Sequence, residues 1–336
     1  MNELSTVLVT GGAGYIGSHT VKVLKDSGYQ VVVMDRLTTG HKKAVLTDHF
    51  YEADICDSKA VQDIVTRHQV DAVIHFAAKS LVGESVAHPD LYFHENTGKT
   101  NQFVSALIQC GVRTIVFSST AAVYGLPETI PISEDTAKLP INPYGVSKLM
   151  IEQSFPWLEQ AYGLKWMALR YFNAAGASLD GEIGEDHEPE THLIPLVLKT
   201  ALGQRPAISI YGTDYDTPDG TCIRDYVHVL DLAQAHVLAL EALERGVPSQ
   251  ALNVGSGRGY SVREIIEAAK QITGRDIPVV ETARRPGDPD ILIADPAKIK
   301  NLLGWTPKYS DLDTMIRSAW NWHSQHPYGF ADRWHG

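Results

Sequence analysis

Through the first half of the chain, short apolar runs rich in Val, Ile and Phe alternate with longer amphipathic stretches. The runs at 6–10, 30–34, 72–76, 114–118 and 166–171 read as buried strands, with a shorter candidate at 49–52. Between them, apolar spacing of about 3.6 residues predicts helices over 15–27, 58–68, 97–110 and 143–162. Pro143 suits a first helical turn, where its missing N–H costs nothing. Strands this apolar, each followed by helical patterning, belong in a parallel sheet covered on both faces.

After about residue 172 the texture changes. The stretches 173–190 and 211–220 are polar and read as loops, as does the Pro/Gly/Asp cluster at 284–290. Helical patterning resumes at 193–203, 229–245, 262–272 and 296–303. The aromatic tail at 320–334 is read as a packed or mobile terminus. The expected division is a sheet-bearing unit over 1–172, to which the chain returns around 226–256, followed by a unit occupying most of 173–336.

Bulk composition narrows the function classes. With 336 residues, 44% of them hydrophobic and 21% charged, the chain is an ordinary globular protein large enough for two domains. A net charge of −11 argues against broad binding to nucleic acid or an anionic membrane, while leaving room for a local basic clamp. Cys56, Cys110 and Cys222, without a CxxC, argue against a disulfide framework and fit a reducing compartment. A first strand beginning by Thr6 leaves no room for a signal peptide, and no apolar run reaches ~18 residues. The expectation is a cytoplasmic protein that engages neither membrane nor nucleic acid. None of the 14 histidines falls in an HExxH or comparable spacing, so no metal site is expected, and His187 in its acidic loop is read as solvated.

Two local patterns carry chemistry. Gly12-Ala13-Gly14-Tyr15-Ile16-Gly17 follows an apolar strand and opens a helix, the context in which G-x-G-x-x-G cradles a dinucleotide. Gly12 is expected to make the tight turn, Gly14 to admit the pyrophosphate, and Gly17 to let the helix pack on the strand. Gly11, Tyr15 and Ile16 complete the cradle, and the helix N-terminus offers N–H donors to the anion. Asp35, about 20 residues on, suits ribose hydroxyls and repels a 2′-phosphate, which favours NAD. Arg36 beside it is either a group that would suit NADP or a solvated turn residue. Asp54 and Ile55 are placed to reach the adenine. Phe76, Ala77 and Ala78 end a strand at the sheet's carboxyl edge, where small residues leave room for the cofactor. Lys79 is either a further cofactor contact or a surface lysine. The fold expectation sharpens accordingly: α/β, a Rossmann-type doubly wound parallel sheet with a smaller mixed α/β C-terminal substrate domain.

The second pattern is Tyr144-Gly145-Val146-Ser147-Lys148. A separation of four residues puts the phenol and the ammonium on one helix face. A lysine so placed is expected to favour phenolate and bring the tyrosine down from about 10 toward working pH. Upstream, Ser118-Ser119-Thr120 ends a strand on the same sheet edge, where a hydroxyl can bond the reacting oxygen. Tyr144, Lys148 and Thr120 are the candidate catalytic residues, and the reaction class they suggest is nicotinamide-dependent chemistry on an alcohol.

Several longer segments carry a resemblance. They are Val9-Thr10-Gly11 through His19, Thr39-Gly40-His41, His75-Phe76-Ala77-Ala78, Ser118 through Gly125, Asn142 through Lys148, Arg170-Tyr171-Phe172-Asn173, Gly220 through Val229, and Arg285-Pro286-Gly287-Asp288. On these residues the chain resembles the extended short-chain dehydrogenase/reductase family, and within it the enzymes that epimerise UDP-hexoses reversibly at C4. The resemblance implies tightly bound NAD, a transient 4-keto sugar and a homodimer formed through the helices near 97–110 and 143–162. It implies Asn96 and Phe172 as further cofactor contacts. Asn173, His192, Leu193, Tyr211, Arg224, Arg285, Asp288 and Leu292 would hold the nucleotide-sugar, with Thr120 and Tyr144 at the sugar. The arginines are independently suited to a diphosphate, the alternative being ion pairs with Asp225 or Asp288.

Three positions depart from the resemblance. His192 stands where many relatives carry Asn, Thr120 replaces a more usual Ser, and Leu292 is intermediate between a Tyr and a smaller gate residue. The other readings are a 4-epimerase of UDP-N-acetylhexosamine, UDP-pentose or UDP-uronate, a nucleotide-sugar dehydratase or decarboxylase, a net oxidoreductase, and a non-catalytic dinucleotide sensor. Ala121-Ala122 after Thr120 count against a dehydratase, which would carry acidic residues there.

Overall fold

The computed structural model describes residues 5–285 and 287–330. In chain order its strands are β1 (Thr6–Thr10), β2 (Gln30–Asp35), β3 (Phe50–Glu52), β4 (Ala72–His75), β5 (Thr114–Thr120), β6 (Lys165–Tyr171), β7 (Asn173–Ala175), β8 (Ile208–Tyr211), β9 (Ile223–His228), β10 (Gln250–Val254), β11 (Gly259–Ser261), β12 (Val279–Thr282) and β13 (Ile291–Leu292). The helices are α1 (Tyr15–Asp26), α2 (Ser58–His68), α3 (Val82–Ala87), α4 (Pro89–Tyr92), α5 (Lys99–Gln109), α6 (Pro143–Tyr162), α7 (Leu193–Ala201), α8 (Val229–Glu244), α9 (Val262–Thr273), α10 (Ala297–Leu303) and α11 (Leu312–Gln325).

Seven strands, all parallel, form the main sheet in the order β10-β6-β5-β4-β1-β2-β3. Because side chains alternate across a strand, β1 sends Val7 and Val9 to one face and Leu8 to the other. In β2, Val31 and Val33 oppose Val32 and Met34 in the same way. One face packs under α1 and α8, the other under α2, α5 and α6. Each fully buried Val or Leu in these layers contributes about 1.5–3 kcal/mol. The chain steps outward from β1 through β2 to β3, then returns to β4 and steps the other way. A crevice therefore opens at the carboxyl ends of β1 and β4, the usual ligand position in such sheets.

Beyond β6 the strands are short and draw their partners from far along the chain. β9 pairs with β7 and β13 in parallel and with β11 antiparallel, while β8 and β12 form a separate pair. A further core of Ile194, Leu198, Tyr226, Ile265, Met315 and their neighbours sits beneath α7, α9 and α11.

Two readings are corrected, and a third is decided between its alternatives in favour of packing. The stretch 173–190, read as loop, begins with β7, whose Asn-Ala-Ala sequence has no apolar alternation and is ordered by pairing with Tyr226–His228. The helix expected from residue 97 begins at Lys99, preceded by a π-helical turn over Phe93–Gly98. The aromatic tail includes the end of α11, with Trp322 fully buried against Ile183 and Phe330; residues 331–334 lie outside the described residues.

Candidate active site

The crevice is a cavity of about 380 Å³ bordered by the carboxyl ends of the central strands and the start of α1. Gly11, Gly14, Tyr15, Ile16 and Gly17 line it. The glycine roles differ from the expected assignment. Gly11, not Gly12, has the left-handed backbone (φ +74°), and a Cβ there would lie 2.7 Å from the Ala77 backbone nitrogen. Gly12 instead packs against the Val33 side chain, where a Cβ would come within 2.8 Å. A Cβ on Gly17 would collide with the Gly11 carbonyl. Gly14 is the N-cap of α1 and supplies no side-chain cap, so first-turn N–H groups are left for whatever occupies the cavity.

Around the cradle stand the residues expected to serve a dinucleotide. Asp35 ends β2 at the cavity wall, held by the N–H groups of Ala13 (3.0 Å) and Leu37 (2.8 Å). Burial raises its carboxyl above the usual aspartate value. Asp54, Ile55, Phe76, Ala77, Ala78, Lys79 and Phe172 also line the cavity. Arg36 donates to Asp54 (2.9 Å) and pairs with Glu95 (2.6 Å), and Lys99 joins the same two carboxylates at 2.7 and 2.9 Å. Arg36 is thus exposed but paired with carboxylates, which leaves it poorly disposed toward a 2′-phosphate. Lys79 is paired with Glu84 at 3.0 Å. Asn96 is buried outside the cavity lining, where its side chain accepts from Lys79 N (2.8 Å) and donates to Lys79 O and Ser147 Oγ (both 3.0 Å). It fixes the cavity wall instead of forming it.

Thr120, Tyr144 and Lys148 converge on the same cavity from the end of β5 and the first turns of α6. Asn142 caps α6 by accepting from Gly145 N (2.8 Å), which sets the rotation of that first turn. Burial raises the Tyr144 phenol above its usual value, and the hydrogen bond from Thr120 opposes that rise. The expected effect of Lys148 on the phenol is not what the geometry gives. Its ammonium donates to the Ser118 carbonyl at 2.8 Å and lies 4.9 Å from the Phe117 ring centroid. Burial pulls Lys148 down to about 7. Behind it, His75 bridges the Thr10 and Thr100 hydroxyls at 2.6 and 2.9 Å, and burial pushes it to about 3, so it stays neutral.

The expected nucleotide-sugar residues separate into two groups. Asn173 and His192 line the cavity; Leu193, Tyr211, Arg224, Arg285, Asp288 and Leu292 lie outside its lining. Arg224 on β9 pairs with Asp288, and β13 brings Leu292 beside Arg224. Leu292 also packs with Phe172, Val123 and Tyr124 behind the cavity wall. Arg285 stacks 3.9 Å from the Tyr211 ring centroid. Pro286, between Arg285 and Gly287, lies outside the described residues. Asp225 forms no pair with Arg224. Its carboxylate faces inward and accepts from Ser256 N (2.8 Å), Gly257 N (3.0 Å) and Ala294 N (3.1 Å), and burial raises it to about 6.

Residues 7–255 match the model of the NAD dependent epimerase/dehydratase family. The chain belongs to this family. Among its relatives is a UDP-glucose 4-epimerase of Halalkalibacterium halodurans, 53% identical over 325 residues that cover 97% of each chain. The crystal structure of UDP-glucose 4-epimerase from Brucella ovis in complex with NAD has a TM-score of 0.92 at 50% identity, covering 94% of this chain and 97% of that one. The enzyme from Bifidobacterium longum, in complex with NAD+ and UDP, gives 0.91 at 38% identity, covering 97% and 100%.

In this family member the site includes groups that sequence reasoning missed. Glu152, one turn beyond Lys148, is buried and receives Arg170 Nε at 3.1 Å, with Ser119 donating to it as well. Arg170 also donates to Tyr124 Oη at 2.9 Å. Tyr171 lines the cavity and hydrogen-bonds Ser118, its phenol raised by burial and by the neighbouring Tyr144. The available signal was the i, i+4 spacing of Lys148 and Glu152; the partner on β6 has no local signature. His187 is not simply solvated, since it lies among Glu185, Glu190 and His192.

Proposed function

We propose that this protein interconverts UDP-glucose and UDP-galactose by reversible epimerisation at the sugar C4. The observation that carries this reading is the convergence of Thr120, Tyr144 and Lys148 on the cavity that the Gly11–Gly17 turn also lines. The cavity suits NAD: side chains at Gly11 or Gly17 would fill the turn, α1 presents an uncapped N-terminus, and Asp35 supplies a carboxylate at the end of β2. Gly11, Gly14, Tyr15, Ile16 and Gly17 would hold the pyrophosphate, Asp35 the ribose, and Asp54 and Ile55 the adenine. Phe76 to Lys79, Tyr144, Lys148 and Phe172 would surround the nicotinamide riboside, with Asn96 holding the Lys79 segment. When bound, NAD supplies a reversible hydride acceptor at C4, so a 4-keto sugar forms transiently and no cofactor is consumed.

Tyr144 Oη, once ionised to the phenolate that the Thr120 hydrogen bond and the positive charge of bound NAD+ would favour, takes the proton of the sugar 4-hydroxyl and later returns it. Thr120 bonds the phenol and the reacting oxygen, lowering the cost of phenolate. Lys148, near neutrality at about 7, keeps a mobile proton one helical turn away. Arg224, Arg285 and Asp288, with Asn173, His192, Leu193, Tyr211 and Leu292, hold the UDP end while the keto sugar turns over. Firm holding remote from C4 with loose holding at the hexose lets both faces be presented in turn. For Arg224 this means exchanging Asp288 for a phosphate.

The sheet-bearing part, 1–172 with the return at 226–256, serves NAD, and most of 173–336 serves the nucleotide-sugar. Met150 and Trp157, 44% and 72% exposed on α6, mark the face through which two copies would join by α5 and α6. Among the described residues no helix is long and apolar enough to cross a membrane, and Cys56, Cys110 and Cys222 are free thiols, in keeping with a cytoplasmic enzyme. The test is to incubate purified protein with UDP-galactose, without added NAD, and to follow UDP-glucose. Protein that carries NAD yet forms no UDP-glucose would sink the assignment.

A further inference from the structure

Between β7 and α7, on the rim of the cavity, the segment 185–192 folds Glu185, His187, Glu190 and His192 together. One ligand atom from each lies within 4.8 Å of all the others. His192 Nδ1 is 2.8 Å from Glu185 Oε1 and 3.1 Å from Glu190 Oε1. His187 Nδ1 is 3.3 Å from Glu185 Oε1 and 3.9 Å from Glu190 Oε2. Four ligands placed tetrahedrally at about 2.0–2.1 Å from a zinc ion stand about 3.3 Å apart; with Glu190 Oε2 as the fourth ligand atom, the separations of 2.8, 3.3 and 3.9 Å within that set scatter around this value.

A second observation concerns unused bonding capacity. The Glu190 side chain is only 3% exposed, and its Oε2 has no hydrogen-bond partner. Glu190 Oε1 is already occupied by the N–H groups of Thr191 (2.7 Å) and His192 (2.8 Å), so Oε2 is the oxygen left facing the cluster. His187 Nδ1 is likewise buried and unpartnered. Leaving two such atoms unmade is costly, and a cation between them would satisfy both. The charge count agrees: two buried carboxylates and two neutral imidazoles balance one divalent ion. Among the described residues the basic side chains beside Glu185 and Glu190 are these same two histidines.

We propose that Glu185, His187, Glu190 and His192 form a four-coordinate site for a divalent transition metal of the zinc class, which pins the 185–192 segment to the cavity rim. Two imidazoles with two carboxylates favour zinc over magnesium or calcium, whose sites are built from oxygen. With four protein ligands the site is closed, so the ion is structural and takes no part at C4. It orders the segment that leads into α7 and stands beside Tyr15, whose ring meets His187 edge-on at 6.2 Å. The proposal does not depend on the sugar-nucleotide reading, because metal uptake is measured without substrate.

The test uses the untagged, NAD-loaded full chain, stripped with a chelator and titrated with Zn²⁺ alone against a competing chelator. Uptake of about one ion per chain is expected, tighter at pH 8 than at pH 6 because protons compete for the imidazoles. Co²⁺ in its place should give the visible absorption of a four-coordinate nitrogen/oxygen site. His187→Asn and Glu190→Gln should each weaken zinc binding by about 100-fold or more. Failure to take up zinc at micromolar concentration, or unchanged affinity in His187→Asn, would overturn the proposal. Should Glu190→Gln not fold, His187→Asn and the Co²⁺ spectrum decide alone.

Discussion

The two ends of the site are built from different materials. At the dinucleotide end the important groups are backbone: a left-handed Gly11, a close Gly17 and an uncapped α1, each imposed by the strand–turn–helix around it. At the end proposed for the nucleotide-sugar the important groups are long charged side chains already engaged with neighbours, Arg224 with Asp288 and Arg285 with the Tyr211 ring. A backbone cradle is preorganised and loses little on binding, whereas a pre-paired clamp must exchange partners for every ligand. The first arrangement suits a cofactor that stays; the second suits a substrate that must leave.

The comparison can be broken at either end, and the largest effect is expected at the cradle. Gly11→Val forces a branched side chain into a positive-φ turn facing Ala77, so purified protein should carry no NAD and show no interconversion. Retention of a full complement of NAD would contradict the backbone argument. Tyr144→Phe should keep NAD and lose turnover by about 10²–10⁴-fold, read from UDP-glucose formation. Near-normal turnover would remove Tyr144 from the chemistry. Arg224→Ala should leave the NAD content intact and raise KM for the UDP-sugar by about 10–100-fold, as expected for charge-assisted bonds to a diphosphate. An unchanged KM would mean that Arg224 serves only its pair with Asp288.

Two further substitutions sharpen the contrast. Lys148→Met should abolish interconversion while stabilising the cofactor-stripped protein by on the order of 1–3 kcal/mol at neutral pH. The sign follows from linkage. Lys148 titrates at about 7 in the folded chain against about 10.4 unfolded, so its contribution is fully present above the unfolded value and lost as pH falls through 7. The gain from removing it is therefore largest at and below pH 7 and fades toward pH 10, which melting curves across that range can follow. The smallest effect is expected from Leu292→Tyr, which should reduce use of UDP-N-acetylhexosamines more than that of UDP-hexoses. If the wild type has no such activity, or the preference is unmoved, Leu292 is no gate.

Periodicity alone placed the strands of the sheet from β1 to β6, because buried parallel strands need continuous apolar runs and their helices need a 3.6-residue stripe. The glycine run, the aspartate ending β2 and the Tyr-x-x-x-Lys spacing were equally legible, since each depends on neighbours only a few residues away. What the chain could not reveal locally was which glycine turns and which packs: Gly11 is left-handed against Ala77, whereas Gly12 is not and lies against Val33. Nor could it reveal β7, β10 or β13, whose partners lie dozens of residues away and whose own sequences are short. The direction of the Lys148 ammonium, the burial of Glu152 against Arg170 and the gathering of His187 with His192 belong to the same class. Local spacing determines which groups share a helix face or a strand end. Where a charge points, and what it costs to hold it there, depends on the low-dielectric surroundings that only the packed chain creates.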